Sequence, residues 1–208
     1  MLERYSYLQI PQTADLPLAD CVRALLEANG RPKTRAHVFA VAEAARALAR
    51  RFGVDAEVCA QAALLHDISA VIRPADMLAY MEESGAYLDP AERAHPFLLH
   101  QRVSRLVAAE DFGIADGRVL SAIEVHTTLK ADYSPCDLIV YLADKLAWDQ
   151  PGEPPYRGVV EAALEVSLAG AALAHIEFAL ANGMILQPHK WLLEARAALQ
   201  AEVEKEPA

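Results

Sequence analysis

The spacing of apolar residues is the feature that most constrains the fold of this chain. Ala and Leu recur at intervals of three and four residues along most of its 208 positions, with Glu and Arg between them. This periodicity is typical of helices that bury one face, and the alternating β-branched runs of strands are nearly absent. The sequence therefore predicts an all-α fold, with helices at residues 17–29, 34–51, 56–66, 74–83, 96–111, 116–126, 135–148, 156–182 and 188–204.

Glycines and prolines mark the expected ends of these helices. Because glycine commonly ends a helix in the left-handed conformation, ends are predicted at Asn29-Gly30, Phe52-Gly53, Asp111-Phe112-Gly113 and Asn182-Gly183. The segment DQPGEPPYRG at 149–158 contains three prolines and two glycines and predicts the clearest break. We expect it to be either a loop at the rim of a pocket or a strut between helices.

Length and composition favour one compact domain over residues 1–208, with a core at about 30–150 and C-terminal helices at about 156–204 packed on it. Hydrophobic residues make up 54% of the chain, so only the tail EVEKEPA is expected to be disordered. The N-terminus lacks the pattern of a signal peptide, and glutamates interrupt the longest apolar stretch, at 158–181. We therefore expect a cytoplasmic protein without a membrane span.

Charge and cysteine content narrow the range of partners. The net charge of −10 disfavours broad contact with nucleic acid or anionic membranes, which use dense Lys and Arg patches. Cys21, Cys59 and Cys136 are far apart and form no C-x-x-C pair, which argues against a disulfide scaffold and a structural zinc site. A small anionic substrate would need local cations, and bound metal ions are one way to provide them.

Six ionisable residues are predicted to face the core. Two of them, in the sequence LLHD, directly follow an apolar run, and the other four lie on apolar stripes of their helices. A single inward histidine is more often a hydrogen-bonded core residue than a ligand. Six together favour a metal site. They are His37, His66, Asp67, His100, His126 and Asp144.

The chemistry of these side chains indicates which metals would bind. Imidazole and carboxylate ligands without thiolate suit iron, manganese, zinc or similar divalent ions, and six of them are enough to hold two ions that share a carboxylate. Two ions about 3.5–4 Å apart suit the attack of a metal-bound hydroxide on a phosphoanhydride. The predicted chemistry is hydrolysis of phosphate compounds.

The order of these motifs resembles the HD-domain metal-dependent phosphohydrolase superfamily. The resemblance rests on LLHDI, an IRP after it, LLH, HTT, and YLADK behind SPCDLIV, and it covers about residues 30–200. Within the superfamily the chain is similar to the YqeK-type family of symmetrical diadenosine tetraphosphate hydrolases, which form two ADP. The resemblance implies a helical bundle, a possible homodimer, and two divalent ions per chain, iron first, with manganese, zinc, nickel, cobalt or magnesium as alternatives.

The resemblance also implies roles for individual residues. The six core-facing residues would be the metal ligands, with Asp67 as the bridge and as a catalytic residue. Lys145 would lie beside the metals and neutralise phosphate, and Thr127 and Thr128 would donate hydrogen bonds to it. A solvated lysine and a helix end closed by threonine side chains are equally compatible with the sequence.

The substrate-binding positions depart from the family pattern. Ala70 replaces a lysine, for which Arg73 is the expected substitute, and Gln101 and Leu129 replace two glycines. The asparagine-arginine pair usual after ADK is also missing. Trp148 and Tyr156 flank that segment, where core packing is a commoner role than base stacking. The three histidines outside the set of six, His95, His175 and His189, are predicted to be structural.

Three functions follow from this pattern. The first is cleavage of nucleotide phosphoanhydrides, with diadenosine tetraphosphate as the first candidate substrate. The second keeps the metals but acts on a nucleoside monophosphate or a phosphodiester, as the replaced residues would allow. The third, a nucleotide or metal sensor without turnover, fits the loss of the lysine at Ala70 but not the retention of six ligands.

Overall fold

The computed structural model describes residues 1–12 and 15–205 of the chain, and within them it confirms the all-α prediction. These residues form eleven α-helices and no β-strand. Short 3₁₀ helices lie at Leu2–Arg4, Ile68–Val71 and Pro96–Leu99. The α-helices are α1 (Leu18–Ala28), α2 (Pro32–Phe52), α3 (Ala56–Leu65), α4 (Pro74–Glu83), α5 (Pro90–Ala94), α6 (His100–Glu110), α7 (Gly117–Val125), α8 (Pro135–Leu146), α9 (Arg157–Leu164), α10 (Leu168–Ala181) and α11 (Lys190–Val203).

Helix α8 lies at the centre of the bundle. It packs against α2, α3, α7 and α10, and most of its residues are buried. Ser134 and Asp137 form a capping box at its start, with Pro135 in the first turn. These neighbouring residues therefore specify where the apolar helix begins. Helices α3, α6 and α7 pack on one another beside it, and α9 and α11 pack on α10.

Most of the predicted helix ends are confirmed. The glycines at positions 30, 53, 113 and 183 all have φ between 65° and 69°, the left-handed conformation that ends a helix. Residues 149–156 contain no helix, as the prolines predict. The tail expected to be disordered is helical up to Val203, and its last three residues, 206–208, lie outside the described residues.

Three features differ from the sequence prediction. The predicted helix at 156–182 is two helices, because Ser167 interrupts it and accepts a hydrogen bond from the backbone N–H of Gly170 at 3.0 Å. The predicted helix at 96–111 begins with a 3₁₀ turn before α6. The short helix α5 was not predicted, although Asp89 and Glu92 form a capping box there.

The cysteines are free thiols, as predicted, but two of them meet. Cys59 in α3 and Cys136 in α8 are buried, with their Sγ atoms 3.0 Å apart. No helix among the described residues has the length and apolar composition that crossing a bilayer requires.

Candidate metal centre

The bundle brings all six predicted residues together. His37 comes from α2, His66 and Asp67 from the end of α3, His100 from the start of α6, His126 from the end of α7, and Asp144 from α8. They form three overlapping groups in which the possible ligand atoms lie within 4.8 Å of one another, namely His37–His66–Asp67, His66–His126–Asp144 and Asp67–His100–His126. The predicted convergence is therefore present, while the role of each residue as a ligand remains a prediction.

Three of the histidines are held in the same way. The Nδ1 atoms of His66, His100 and His126 lie 2.6, 2.6 and 2.7 Å from the carbonyl oxygen three positions earlier in the chain. Each Nδ1–H can therefore donate to a backbone carbonyl, which leaves the Nε2 lone pair free. Hydrogen bonds of this kind fix the tautomer and the ring orientation of metal-ligating histidines.

The spacing of the free atoms fits divalent metal ions. The Nε2 atoms of His100 and His126 lie 2.9 Å apart, and Nε2 of His66 is buried without a hydrogen-bond partner. In the tautomer described above, two facing lone pairs repel each other unless a cation or a proton lies between them. Atoms bound at about 2.1 Å to one metal ion in tetrahedral or octahedral geometry lie about 3.0–3.4 Å apart, close to these distances.

Asp67 presents one oxygen to each side of the cluster. Its Oδ1 lies 3.5 Å from His100 Nε2 and 3.6 Å from His126 Nε2, whereas its Oδ2 lies 3.6 Å from His66 Nε2. Burial would raise the pKa of Asp67, but the three imidazoles outweigh burial and hold this pKa below its usual value. An ionised carboxylate in this position suits a bridge between two ions.

Asp144 and its neighbours form the other side of the cluster. Its Oδ1 lies 3.0 Å from His37 Nε2 and 3.6 Å from His66 Nε2, and its Oδ2 accepts a 2.6 Å hydrogen bond from Lys145 Nζ. Burial opposes ionisation, but Lys145 and the histidines hold the pKa of Asp144 well below its usual value. Burial would lower the pKa of His66, but Asp67 and Asp144 raise it to about 9, so at neutral pH in the metal-free protein this imidazole carries a second proton, on Nε2.

A cavity of about 310 Å³ adjoins the cluster. Thr127 and Lys145 line it and also contact the predicted ligands, since Thr127 Oγ1 lies 3.1 Å from His100 Nε2. Although the chain is acidic, no Asp or Glu occurs among the described residues that line this cavity. None of the six residues is among the described lining of this cavity or of a larger cavity of about 710 Å³, but Thr127 and Lys145 connect the smaller cavity, and not the larger one, to the cluster.

Of the other two predicted substrate-binding residues, Thr128 lines the cavity and Arg73 does not. Thr128 lines the cavity but is buried, and its hydroxyl donates to the carbonyl of Leu129 at 3.0 Å, which is the helix-end arrangement. Arg73 is exposed, its guanidinium lies 4.1 Å from the ring centroid of Tyr7, and it is not among the described residues that line the cavity. Phosphate binding by Arg73 remains a prediction.

Two departures from the family pattern meet at one turn. Gln101 is fully buried, and its Oε1 accepts hydrogen bonds from the backbone N–H groups of Thr127 and Thr128 at 3.2 and 3.3 Å. Leu129 has a φ of 55°, the one positive φ at a non-glycine residue in the described part of the chain, and its side chain is also fully buried. Gln101 therefore supports the turn that follows His126. The left-handed conformation of Leu129 costs roughly 1–2 kcal/mol, which burial of its side chain offsets.

Sequence reasoning missed the contribution of distant residues to the cavity. His95, His175 and His189 line it, although they were predicted to be structural. Two of them also make contacts within the fold: Tyr141 Oη lies 2.6 Å from His175 Nδ1, and His189 accepts a hydrogen bond from the backbone at the start of α11. Their structural role remains a prediction. Burial lowers the pKa of His175 to about 3, so its imidazole is neutral. No local motif marks these positions.

Comparison with known proteins gives concordant matches. A family model described as the HD domain matches residues 34–149. An uncharacterized protein of Lactococcus lactis subsp. cremoris is 41% identical over 142 residues, covering 68% of this chain and 72% of the relative. A symmetrical bis(5'-nucleosyl)-tetraphosphatase of Halalkalibacterium halodurans is 27% identical over 73% of this chain and 82% of its own length. A crystal structure from Clostridium acetobutylicum, described as a predicted HD superfamily hydrolase involved in NAD metabolism, superposes with a TM-score of 0.76 at 27% identity, covering 88% of this chain and 97% of that one.

Proposed function

The chain belongs to the HD domain family of hydrolases, and from this premise we propose that it is a metal-dependent phosphohydrolase that cleaves nucleotide phosphoanhydrides. Diadenosine tetraphosphate, cut to two ADP, is the first candidate substrate. The relative from Halalkalibacterium halodurans, named as a symmetrical tetraphosphatase, supports this choice of substrate.

One observation carries the proposal. The three groups of possible ligands share residues with one another, and Lys145 and Thr127 connect them to a cavity whose described lining includes no carboxylate. In a chain with a net charge of −10, a cavity lined by a lysine, histidines and aromatic rings favours a substrate with an anionic part and a flat apolar part.

The metal ions, when bound, would supply an activated water and positive charge for the phosphoryl oxygens. His37, His66, His100, His126, Asp67 and Asp144 would hold them. The backbone carbonyls that accept from the Nδ1 atoms keep the imidazoles in place, so little reorganisation is needed on binding. Lys145 would neutralise charge that develops on the phosphate, and the hydroxyl of Thr127 would donate a hydrogen bond to it.

Domain organisation and assembly are proposed on the same basis. We infer one domain over residues 1–208, because α10 packs against α8, the helix that carries Asp144, and α11 packs against α10. The C-terminal helices therefore belong to the same unit as the ligands. The possible homodimer remains a prediction, which analytical ultracentrifugation would test.

The test begins with anaerobic purification and metal analysis, followed by incubation with diadenosine tetraphosphate and a panel of nucleotides and phosphodiesters. The expected result is close to two metal ions per chain and ADP as the sole product from the dinucleotide. A His126→Ala variant prepared in the same way controls for contaminating phosphatases. Two ions with hydrolysis of other panel members alone would favour the second function and contradict the tetraphosphate substrate, whereas absence of bound metal would refute the proposal.

A further inference from the structure

Two buried serines connect the segment that follows Asp67 to the helix that begins at His100. Ser69 lies two positions after Asp67, in the 3₁₀ helix that directly follows it. Ser104 lies in α6, one turn after His100. Both serines are fully buried, and neither hydroxyl has a role in the proposed hydrolysis.

The two hydroxyls form a continuous chain of hydrogen bonds. The backbone N–H of Ser69 donates to Ser104 Oγ at 3.1 Å, and Ser104 Oγ donates to Ser69 Oγ at 2.9 Å. Ser69 Oγ in turn donates to the backbone carbonyl of His100 at 3.0 Å. Each hydroxyl therefore accepts one hydrogen bond and donates one, as buried hydroxyls in native proteins usually do.

Stability alone does not account for this pair. An alanine in place of Ser69 would avoid the cost of removing a hydroxyl from water, and the net gain from one intramolecular hydrogen bond is small. The Ser104 hydroxyl binds an N–H near the start of a 3₁₀ helix, where the first donors have no partner within the helix. The two hydroxyls together fix the backbone after Asp67 against α6.

The Asp67 carboxylate depends on this backbone for its position. Its nearest basic partners among the described residues are the imidazoles of the cluster, which at 3.5–3.6 Å lie beyond hydrogen-bond range. Because Asp67 Oδ1 faces His100 Nε2, a movement of the 3₁₀ helix along α6 would change that distance directly. Metal–ligand distances vary by only about 0.2 Å within one kind of site, so a larger movement would weaken an ion that both residues bind.

Helix α6 also supports the turn that follows His126. Gln101, in the same helix, binds the two backbone N–H groups directly after His126. Side chains of α6 therefore bind the backbone just after Asp67 and just after His126, and α6 itself carries His100. These three possible ligands form one of the groups described above, so a single helix holds that whole group together.

We propose that Ser69 and Ser104 are positioning residues, which hold the Asp67 carboxylate at the distance from His100 that a shared metal ion requires. This inference rests on the proposed function for the presence of the ions. It assigns the serines to the ion bound by Asp67, His100 and His126.

The other side of the cluster is less dependent on the serines. His37 and Asp144 come from α2 and α8, and the hydrogen bonds of the two serines reach neither of these helices. Loss of a serine hydroxyl should therefore weaken the two ions unequally, whereas a general loosening of the fold would weaken both.

The first test is a calorimetric titration of the metal-free protein with Mn²⁺, which does not depend on hydrolysis. In Ser104→Ala the dissociation constant of one ion should rise about 10–100-fold, the usual effect of removing a group that orients a ligand. Ser121→Ala is the matched control, because Ser121 Oγ donates to Asp137 at 3.2 Å, and it should bind both ions as the unaltered protein does. Ser69→Ala keeps the backbone hydrogen bond to Ser104, so it provides a milder variant, with a rise of about tenfold, should Ser104→Ala fail to fold.

The second test repeats the substitutions in a His126→Ala background. That background should keep only the ion on the side of His37 and Asp144. Adding Ser104→Ala, or Ser69→Ala, should then weaken the remaining ion by less than about threefold, because the group that the serines position has already lost its ion.

The outcomes separate this inference from the proposed function. Unchanged Mn²⁺ affinity in the folded serine variants, or equal weakening with and without His126→Ala, would overturn the positioning role and leave the hydrolase proposal standing. Unequal weakening without hydrolysis of any nucleotide or phosphodiester would do the reverse. If the unaltered protein binds neither Mn²⁺ nor, under anaerobic conditions, Fe²⁺, both proposals fall.

Discussion

Gln101 offers a sharp test of how the turn after His126 is built. Replacement by Met keeps a similar side-chain volume but removes the amide that binds the backbone N–H groups of Thr127 and Thr128. It also removes the 3.1 Å hydrogen bond from Gln101 Nε2 to Thr128 Oγ1. All of these groups are buried or half-buried, so water cannot simply replace the lost partner.

The expected magnitude follows from these contacts. Two backbone donors left without a partner cost about 1–3 kcal/mol each, and the relief of no longer burying an amide offsets part of that cost. We expect a loss of about 2–3 kcal/mol in the free energy of unfolding. For a chain of this size that corresponds to a fall of about 5–10 °C in the unfolding midpoint.

Thermal unfolding of the metal-free protein, followed by circular dichroism, measures this effect without interference from ligand binding. Gln150→Met is the matched control, because Gln150 is exposed. If Gln101→Met and Gln150→Met unfold within about 1 °C of each other, Gln101 does not support the turn as described. Weaker metal binding by Gln101→Met is expected as well, since Thr127 contacts His100.

Three further predictions concern the candidate centre. His126→Ala should lose one metal equivalent and nearly all activity, and unchanged turnover or two retained ions would refute the dinuclear assignment. Lys145→Gln should lower kcat by about 10²–10³-fold if its charge acts on the phosphate, whereas the exposed Lys190→Gln should not, and equal rates would contradict that role. Because the pKa of His66 is raised to about 9 in the metal-free protein, metal binding must displace a proton. The apparent metal dissociation constant should then fall about tenfold per pH unit between pH 7 and 9, and isothermal titration giving a pH-independent constant would contradict this coupling.

The helices and the inward orientation of the six ionisable residues were predictable because their signals are local, whereas the convergence of the six was expected from the resemblance to the HD-domain superfamily. A few turns of sequence are enough to recognise a glycine that ends a helix, such as Gly53. The same holds for a histidine on an apolar stripe, such as His37. The break at Ser167 was missed because Leu, Ala and Val continue across it, and only the hydrogen bond to Gly170 shows where the helix restarts.

The cavity was less predictable because distant segments form it. His175 and the residues at 184–187 come from the C-terminal third of the chain and meet Thr127 only through packing. Gln101 was predicted only as a missing glycine in the substrate-binding region. The structure instead shows it buried beneath the turn at Leu129, a contact that no sequence spacing indicates.

The contact between His37 and Asp144 has a consequence for the stability of the whole chain. These residues are 107 positions apart, and the other predicted ligands lie between them in sequence. Ions bound by all six would therefore act as reversible cross-links that close long loops, each worth up to about 4 kcal/mol in chain entropy. A chelator would then lower the stability of the tertiary structure as it removes activity, and the unfolding midpoint would rise with the metal content of a preparation.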